Sequence, residues 1–187
     1  KNVLEVVKAK GHVPFLDMAY QGFGDGIAED AFAVRLFAES GLEFFVSSSF
    51  SKSFSLYGER VGALSVVTAS KDESTRVLSQ VKRVIRTTYS NPPTHGATIV
   101  ATVLNSAELR QMWETELAEM RERIHGMRKQ MVALLAEYGA NRDFSFVGRQ
   151  VGMFSYSGLS VEQVARLKND FGIYALDTGR IAVAALN

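Results

Sequence analysis

The sequence predicts an α/β fold with a parallel sheet, followed by a small α+β unit. Three observations predict it. Two short apolar runs, "VPFLDMAY" and "EFFVSSSF", flank a stretch of helical spacing, "DAFAVRLFAESG". Strand, helix, strand in that order is a βαβ unit, which implies parallel strands joined by a right-handed crossover. After residue 70 the apolar spacing turns helical, and beyond Gly139 short apolar runs alternate with a single helix.

Taken in order, "NVLEVVKAKG" has a helical apolar pattern and a glycine stop. "VPFLDMAY" is short and mostly apolar, as a buried strand is, and "GFGDG" breaks the chain after it. The next stretch sets Phe32, Leu36 and Phe37 near one helical face and stops at Gly41, and "EFFVSSSF" is the second buried strand. "VGALSVVTA" reads as a third strand, whose short connection from the second leaves its direction open. "DESTRVLSQVKRVIRTTY" is one helix, "NPPTHG" interrupts it, and "TIVATVLNS" is a short apolar helix. The following helix is long: Trp113, Leu117, Met120, Ile124, Met127, Met131 and Leu134 recur at spacings of 4, 3, 4, 3, 4, 3. That stripe suits one helix packing on a domain, with a coiled coil as the alternative. The remainder, "FSFVGRQVGMFSYSGL", "VEQVARLKNDFG" and "IYALDTGRIAVAAL", reads as the small α+β unit. The expected junction lies inside the long helix near residue 118, dividing the chain into 1–118 and 119–187.

The chain of 187 residues is long enough to bury a core, and 47% hydrophobic with 22% charged residues is a globular composition. A formal net charge of +1, with the basic residues dispersed, argues against nucleic acid or an anionic membrane as a partner. The absence of cysteine excludes a disulfide scaffold, a thiolate metal site and a cysteine nucleophile, and it suits a cytoplasmic protein. No apolar run approaches the roughly 20 residues of a membrane-spanning helix. The first residue is not Met and the last run, "RIAVAALN", is strand-like and apolar, so a fragment of a longer protein is expected, with a chosen domain boundary as the alternative.

The chemistry gathers around "SSSFSKSFSLYGER", residues 47–60, where Lys52 has no carboxylate within six positions. In parallel α/β sheets ligands sit beyond the carboxyl ends of the strands. Asp17 lies at that end of the first strand and Ser49 and Lys52 just past the second, so with Tyr20 they can converge on one crevice, and Arg60, which starts the third strand, can face it too. A lysine kept from solvent and carboxylates can hold a neutral amine that forms a Schiff base. Hydroxyls and an arginine fork bind phosphate. An aspartate can hold a protonated ring nitrogen, and a tyrosine can donate to a phenolate oxygen. Together these suit pyridoxal 5'-phosphate. Each residue also has a plain reading: Lys52 as a solvated loop lysine, Asp17 as a helix cap or strand-end acid, Arg60 as a surface partner of Glu59, Tyr20 as core or rim.

"DMAYQGF", "SSSFSKSFSLYGERVG", "YSNPPTHGA", "NRDFSF", "GMFSYSGL" and "GRIAVAALN" resemble, in the same order, the aspartate and aromatic amino acid aminotransferases of fold-type I. The resemblance covers essentially the whole chain but only the carboxyl-terminal half of that family. It implies part of the mostly parallel-sheet, pyridoxal-phosphate-binding large domain in 1–118 and the small carboxyl-terminal domain in 119–187. By position, Lys52 matches the lysine that binds the cofactor and shuttles the substrate Cα proton, Asp17 the aspartate on the pyridine nitrogen, and Tyr20 the tyrosine on the phenolate oxygen. Ser49 and Arg60 match phosphate ligands, and Arg180 matches the arginine that clamps the substrate α-carboxylate. Arg86 matches an arginine that reaches a side-chain carboxylate in the neighbouring subunit's site, and Phe154 matches an aromatic residue near the substrate carboxylate. Without the resemblance, Arg86 reads with Lys82 and Arg83 as a solvated helix face, and Arg180 as a strand-edge cation.

The resemblance implies amino acid and 2-oxo acid substrates, a homodimer with sites at the subunit interface, and transfer between aromatic amino acids or aspartate and 2-oxoglutarate. Ser53 and Ser55 stand where aspartate-preferring members carry Asn and Gly, and "YALDTGRIAVAALN" leans to the aromatic branch. The family's amino-terminal phosphate-binding turn, ring-stacking aromatic residue and asparagine have no counterpart here. Two alternatives stay open: a pyridoxal-phosphate-binding regulatory domain of the kind fused to DNA-binding segments, and a catalytically inert fragment of the enzyme.

Overall fold

The computed structural model describes residues 2–186. Its contacts divide the chain into two compact units. The first holds the residues up to Gly22 together with Gly26–Thr115. The second holds Phe23–Asp25 and the residues from Glu116 onward.

In the first unit, α1 (Asn2–Lys10) ends at Gly11, whose φ of 62° is a left-handed stop that glycine takes without strain. Strand β1 (Phe15–Met18) leads through α2 (Ile27–Asp30) and α3 (Phe32–Glu39) to β2 (Phe44–Ser49). The sequence predicts one helix here. The structure breaks it at Ala31 and starts the first piece earlier, at Ile27. β1 and β2 pair in parallel, with Asp17 opposite Ser47. β3 (Gly62–Val67) runs antiparallel to β2, so the three-stranded sheet is mixed, in the order β1-β2-β3. Residues 50–61 contain no crossover helix, and an antiparallel return is what a connection of that kind permits. The pairing sets Gly62 against Ser49, and a Cβ on Gly62 would stand 2.7 Å from the Ser48 carbonyl oxygen. That close approach requires glycine.

One face of the sheet is covered. Leu4 of α1, Phe37 of α3, and Phe44 and Val46 of β2 are buried together, with Val7, Leu16, Val34 and Val67 packed around them. The alternate residues of the same strands face the other way: Phe15 and Phe45 meet edge-on at 6.1 Å, and Phe15, Phe45 and Leu64 are exposed in this chain. Helix α4 (Lys71–Thr88) begins at Ser70, whose hydroxyl accepts the Glu73 amide, and α5 (His95–Asn105) follows the "NPPTHG" break.

Helix α6 (Ala107–Glu137) is a single helix of 31 residues, and its first turns belong to the first unit. In the second unit Leu117 and Ile124 of the predicted stripe are buried, whereas Met120 and Leu134 remain partly exposed. Helix α7 (Ser145–Gly148), β4 (Phe154–Tyr156), α8 (Val161–Phe171) and β5 (Arg180–Ala182) complete this unit. α8 carries a reciprocal cap between Ser160 and Gln163 and stops at Gly172. β4 and β5 pair antiparallel, Tyr156 opposite Arg180. The terminal apolar run is a strand only through Ala182. Val183–Ala185 forms a 3-10 turn with Val183 fully buried, and Asn187 lies outside the described residues. Among the described residues, no helix is long and apolar enough to cross a membrane.

Candidate active site

Past the carboxyl end of β2 the chain turns back on itself. The Phe54 amide donates to the Phe50 carbonyl at 3.2 Å, and the Ser55 amide donates to the Lys52 carbonyl at 3.1 Å. Those bonds make residues 50–55 a compact helical turn with Lys52 inside it. Ser51 and Ser53, on either side of the lysine, are buried, while Lys52 itself is half-buried. The ammonium of Lys52 lies 4.7 Å from the centre of the Tyr20 ring, so the loop after β1 and the turn after β2 meet through these two side chains.

Asp17 and Ser47 are neighbours across the parallel pair, and the Ser47 hydroxyl donates to the Asp17 carboxylate at 3.0 Å. Period-two alternation sets both on the sheet face that carries Phe15 and Phe45. Ser49 ends β2, and its hydroxyl accepts the Ser51 amide at 3.2 Å. It also lines a cleft of about 240 Å³ with Gln21, Ser53, Phe54 and Trp113.

Arg60 reaches the same end of the sheet by the antiparallel return of β3. It is exposed, caps the 3-10 turn Tyr57–Glu59, donates to the Tyr57 carbonyl at 3.0 Å, and holds φ 52°, ψ 47°. That left-handed conformation costs a non-glycine residue roughly 1–2 kcal/mol. Strain of this kind at a non-glycine residue is commonest where a side chain must be aimed. Gly96 of α5 packs beneath this segment, and a Cβ there would meet the side chains of Glu59 and Val61 at 3.0 Å.

The other sequence candidates stand elsewhere. Arg86 lies exposed near the end of α4 and donates to the Ser90 hydroxyl. Arg180 and Phe154 belong to the second unit, where the guanidinium of Arg180 lies 4.6 Å from the Phe154 ring centre on the exposed side of the β4–β5 pair. Sequence reasoning passed over three residues. Ser47 is signalled only by the strand register. Trp113 reads as one more member of an apolar stripe, yet its indole N–H donates to the Ser53 carbonyl at 2.6 Å. Arg128 is not singled out by the sequence, yet it is 2% exposed and its guanidinium donates to the Ser155 hydroxyl and the Gly152 and Phe154 carbonyls. Burial pushes its pKa down from the ordinary arginine value.

Chemically, the first unit presents a primary amine 4.7 Å from a phenol ring, with Ser49, Arg60 and the exposed Asp17 carried by strand ends at the same end of the sheet. The amine can condense with a carbonyl compound when neutral. Ser49 and Arg60 suit an anion such as a phosphate, and Asp17 suits a protonated nitrogen. Among the described residues no cluster of three or more His, Asp or Glu suits a metal ion.

The model for aminotransferase class I and II matches residues 1–187. An aspartate aminotransferase from Pseudomonas aeruginosa is 77% identical over 100% of this chain and 47% of its own length. The aromatic-amino-acid aminotransferase of Escherichia coli is 51% identical, over 99% of this chain and 47% of its own. The crystal structure of an aromatic-amino-acid aminotransferase from Burkholderia pseudomallei, covalently bound to pyridoxal phosphate, superposes with a TM-score of 0.97 at 68% identity. It covers 100% of this chain and 47% of that one. The chain spans about half the length of the relatives it matches.

Proposed function

The chain belongs to the aminotransferases of class I and II, and from that premise we propose that the full-length protein transfers an amino group between an aromatic amino acid or aspartate and 2-oxoglutarate, with pyridoxal 5'-phosphate held on Lys52. The observation that carries the reading is the half-buried Lys52 in its carboxylate-free turn, 4.7 Å from the Tyr20 ring. The donor set suits the cofactor group by group: an amine for the aldehyde, Ser49 and Arg60 for the phosphate, Asp17 for the ring nitrogen, Tyr20 for the phenolate oxygen. When bound, pyridoxal phosphate supplies an electron sink for the charge that develops at the substrate Cα, and it stores the amino group between the two half-reactions.

The residues divide the work. Lys52 would hold the cofactor through its amine, and that amine, once free, would take up the proton of the substrate Cα. Asp17, oriented by the Ser47 hydroxyl, would accept from a protonated ring nitrogen. Arg180 holds the α-carboxylate as a bidentate pair, with Phe154 against its guanidinium. Arg86 reaches into the neighbouring subunit's site of a homodimer, where it meets a substrate's side-chain carboxylate. Residues 1–118 act as part of the cofactor-binding large domain and 119–187 as the small domain, in a cytoplasmic enzyme. Relatives named for aspartate and for aromatic amino acids both match the chain, at 77% and 51% identity, and the proposed donor range spans both classes. Matches to named aminotransferases do not favour the regulatory-domain alternative.

The test is borohydride reduction of the full-length protein with pyridoxal phosphate, followed by peptide mapping. The expected adduct is on Lys52. An adduct that maps elsewhere, or no transfer to 2-oxoglutarate from any of aspartate, tyrosine and phenylalanine, overturns the reading.

A further inference from the structure

We propose that Trp113 is a positioning residue for Lys52, a role that rests on the function proposed above. Lys52 is carried by a turn that belongs to neither a strand nor a regular helix, so its own backbone bonds do not fix where the amine sits. Three contacts from outside the turn do. The indole N–H of Trp113 donates to the carbonyl of Ser53, the residue next to Lys52, at 2.6 Å across 60 positions of sequence. The same indole stacks on Phe54, with ring centres 4.5 Å apart and planes at 21°. Phe54 in turn meets Phe50 edge-on at 5.5 Å, and the Phe50 amide donates to the Val61 carbonyl just before β3. Both ends of the lysine turn are therefore tied down, one to the sheet and the other to the first turns of α6.

Indole is a donor with no acceptor, and a half-buried carbonyl in a turn needs a donor, so the bond satisfies both groups at once. The stack restrains the rotation of the turn, because a stacked aromatic pair at this separation contributes about 0.5–1.5 kcal/mol beyond its buried area. Lysine has a long flexible stem, so fixing its backbone decides which points the amine visits. A displacement of about 1 Å in such a group is enough to lower a rate about a hundredfold. Packing of α6 does not require this arrangement: leucine or phenylalanine at position 113 fills an apolar stripe equally well, and neither donates.

The experiment uses the full-length holoenzyme and the variants Trp113→Phe, which keeps the stack and loses the donor, and Phe54→Leu, which loosens the stack from the other side. Three quantities are read: the pH titration of the absorbance of the lysine-bound cofactor, kcat, and hydrogen exchange of the peptide spanning residues 47–60. Trp113→Phe is expected to displace the titration midpoint, lower kcat about 5- to 20-fold with KM within twofold, and speed exchange in 47–60 while α4 and α5 keep their rates. Phe54→Leu is expected to do the same to a smaller degree. If the titration curves coincide with wild type in both variants, or if exchange rises equally in α4 and α5, Trp113 is only a packing residue and the proposal is overturned. An adduct mapping away from Lys52 instead overturns the proposed function, whatever the variants show.

Discussion

At the scale of single residues, Arg60 sets a stability term against a functional one. Its left-handed backbone costs roughly 1–2 kcal/mol, which glycine would recover, but glycine also loses about 0.5–1 kcal/mol of backbone entropy on folding. The difference, about 0.5–1 kcal/mol, favours glycine, so Arg60→Gly is expected to raise the urea midpoint slightly. Loss of a charged hydrogen bond to phosphate, worth about 1.5–3 kcal/mol, is expected to weaken pyridoxal phosphate binding tenfold or more in the full-length protein. A cofactor affinity equal to wild type removes Arg60 from the site. Asp143 offers a pH signature. The Ser145 amide and hydroxyl donate to its carboxylate at 2.7 and 2.9 Å, and these bonds hold its pKa below the ordinary value. A carboxyl lowered by folding stabilises above its unfolded pKa of about 3.9 and loses that contribution as pH falls through the folded value. Asp143→Asn is therefore expected to shrink the drop in unfolding midpoint between about pH 6 and about pH 3, and an unchanged drop counts against the bond. Of these residues the sequence displayed Lys52 by its odd company. It hid Ser47, Trp113 and Arg128, because their roles depend on neighbours brought from far along the chain.

At the scale of elements, endings were easier to read than pairings. Glycine stops at Gly11, Gly41 and Gly172 announce themselves because each holds a positive φ that other residues avoid. The direction of β3 was not legible, since a short connector constrains distance rather than sense, and no breaker residue announces the break at Ala31. Arg128 shows what one long-range side chain does for an element. Its guanidinium ties the Gly152 and Phe154 carbonyls and the Ser155 hydroxyl to α6, bracing the short strand that carries Phe154 and pairs with Arg180. Arg128→Met removes these donors and leaves buried acceptors unmatched, at about 2 kcal/mol, partly offset by relief of the buried charge. The expected result is a lower unfolding midpoint together with a raised KM for both substrates, and a lowered midpoint with unchanged KM confines Arg128 to stability. Gly96 makes a parallel case. Gly96→Val would push on Glu59 and Val61, so it is expected to disturb the Arg60 segment and weaken cofactor binding with little change in the helix content measured by circular dichroism.

At the scale of the whole molecule, the sheet has its buried cluster on one face. Leu4, Phe37, Phe44 and Val46 close one side, whereas Phe15, Phe45 and Leu64 stand exposed on the other. Parallel α/β sheets ordinarily cover both faces, and the relatives are about twice as long as this chain. The reading of the chain as half of an enzyme therefore predicts two outcomes for Phe45→Ser. In the full-length protein it costs roughly 3–5 kcal/mol, as a buried phenylalanine does. In the 187-residue chain alone it costs only about 1 kcal/mol, the worth of a partly covered ring in one edge-on pair, and improves solubility. Equal costs in the two proteins contradict the reading. The α/β class and the approximate elements were legible because periodicity reports a buried face, but periodicity does not say what covers the other one. One further consequence belongs to Trp113, the single tryptophan of this 187-residue chain. Its indole is stacked on the very turn that bears Lys52, so within residues 1–187 all indole fluorescence originates beside that lysine. Quenching and spectral shift of that emission would follow cofactor loading in real time, with no label attached.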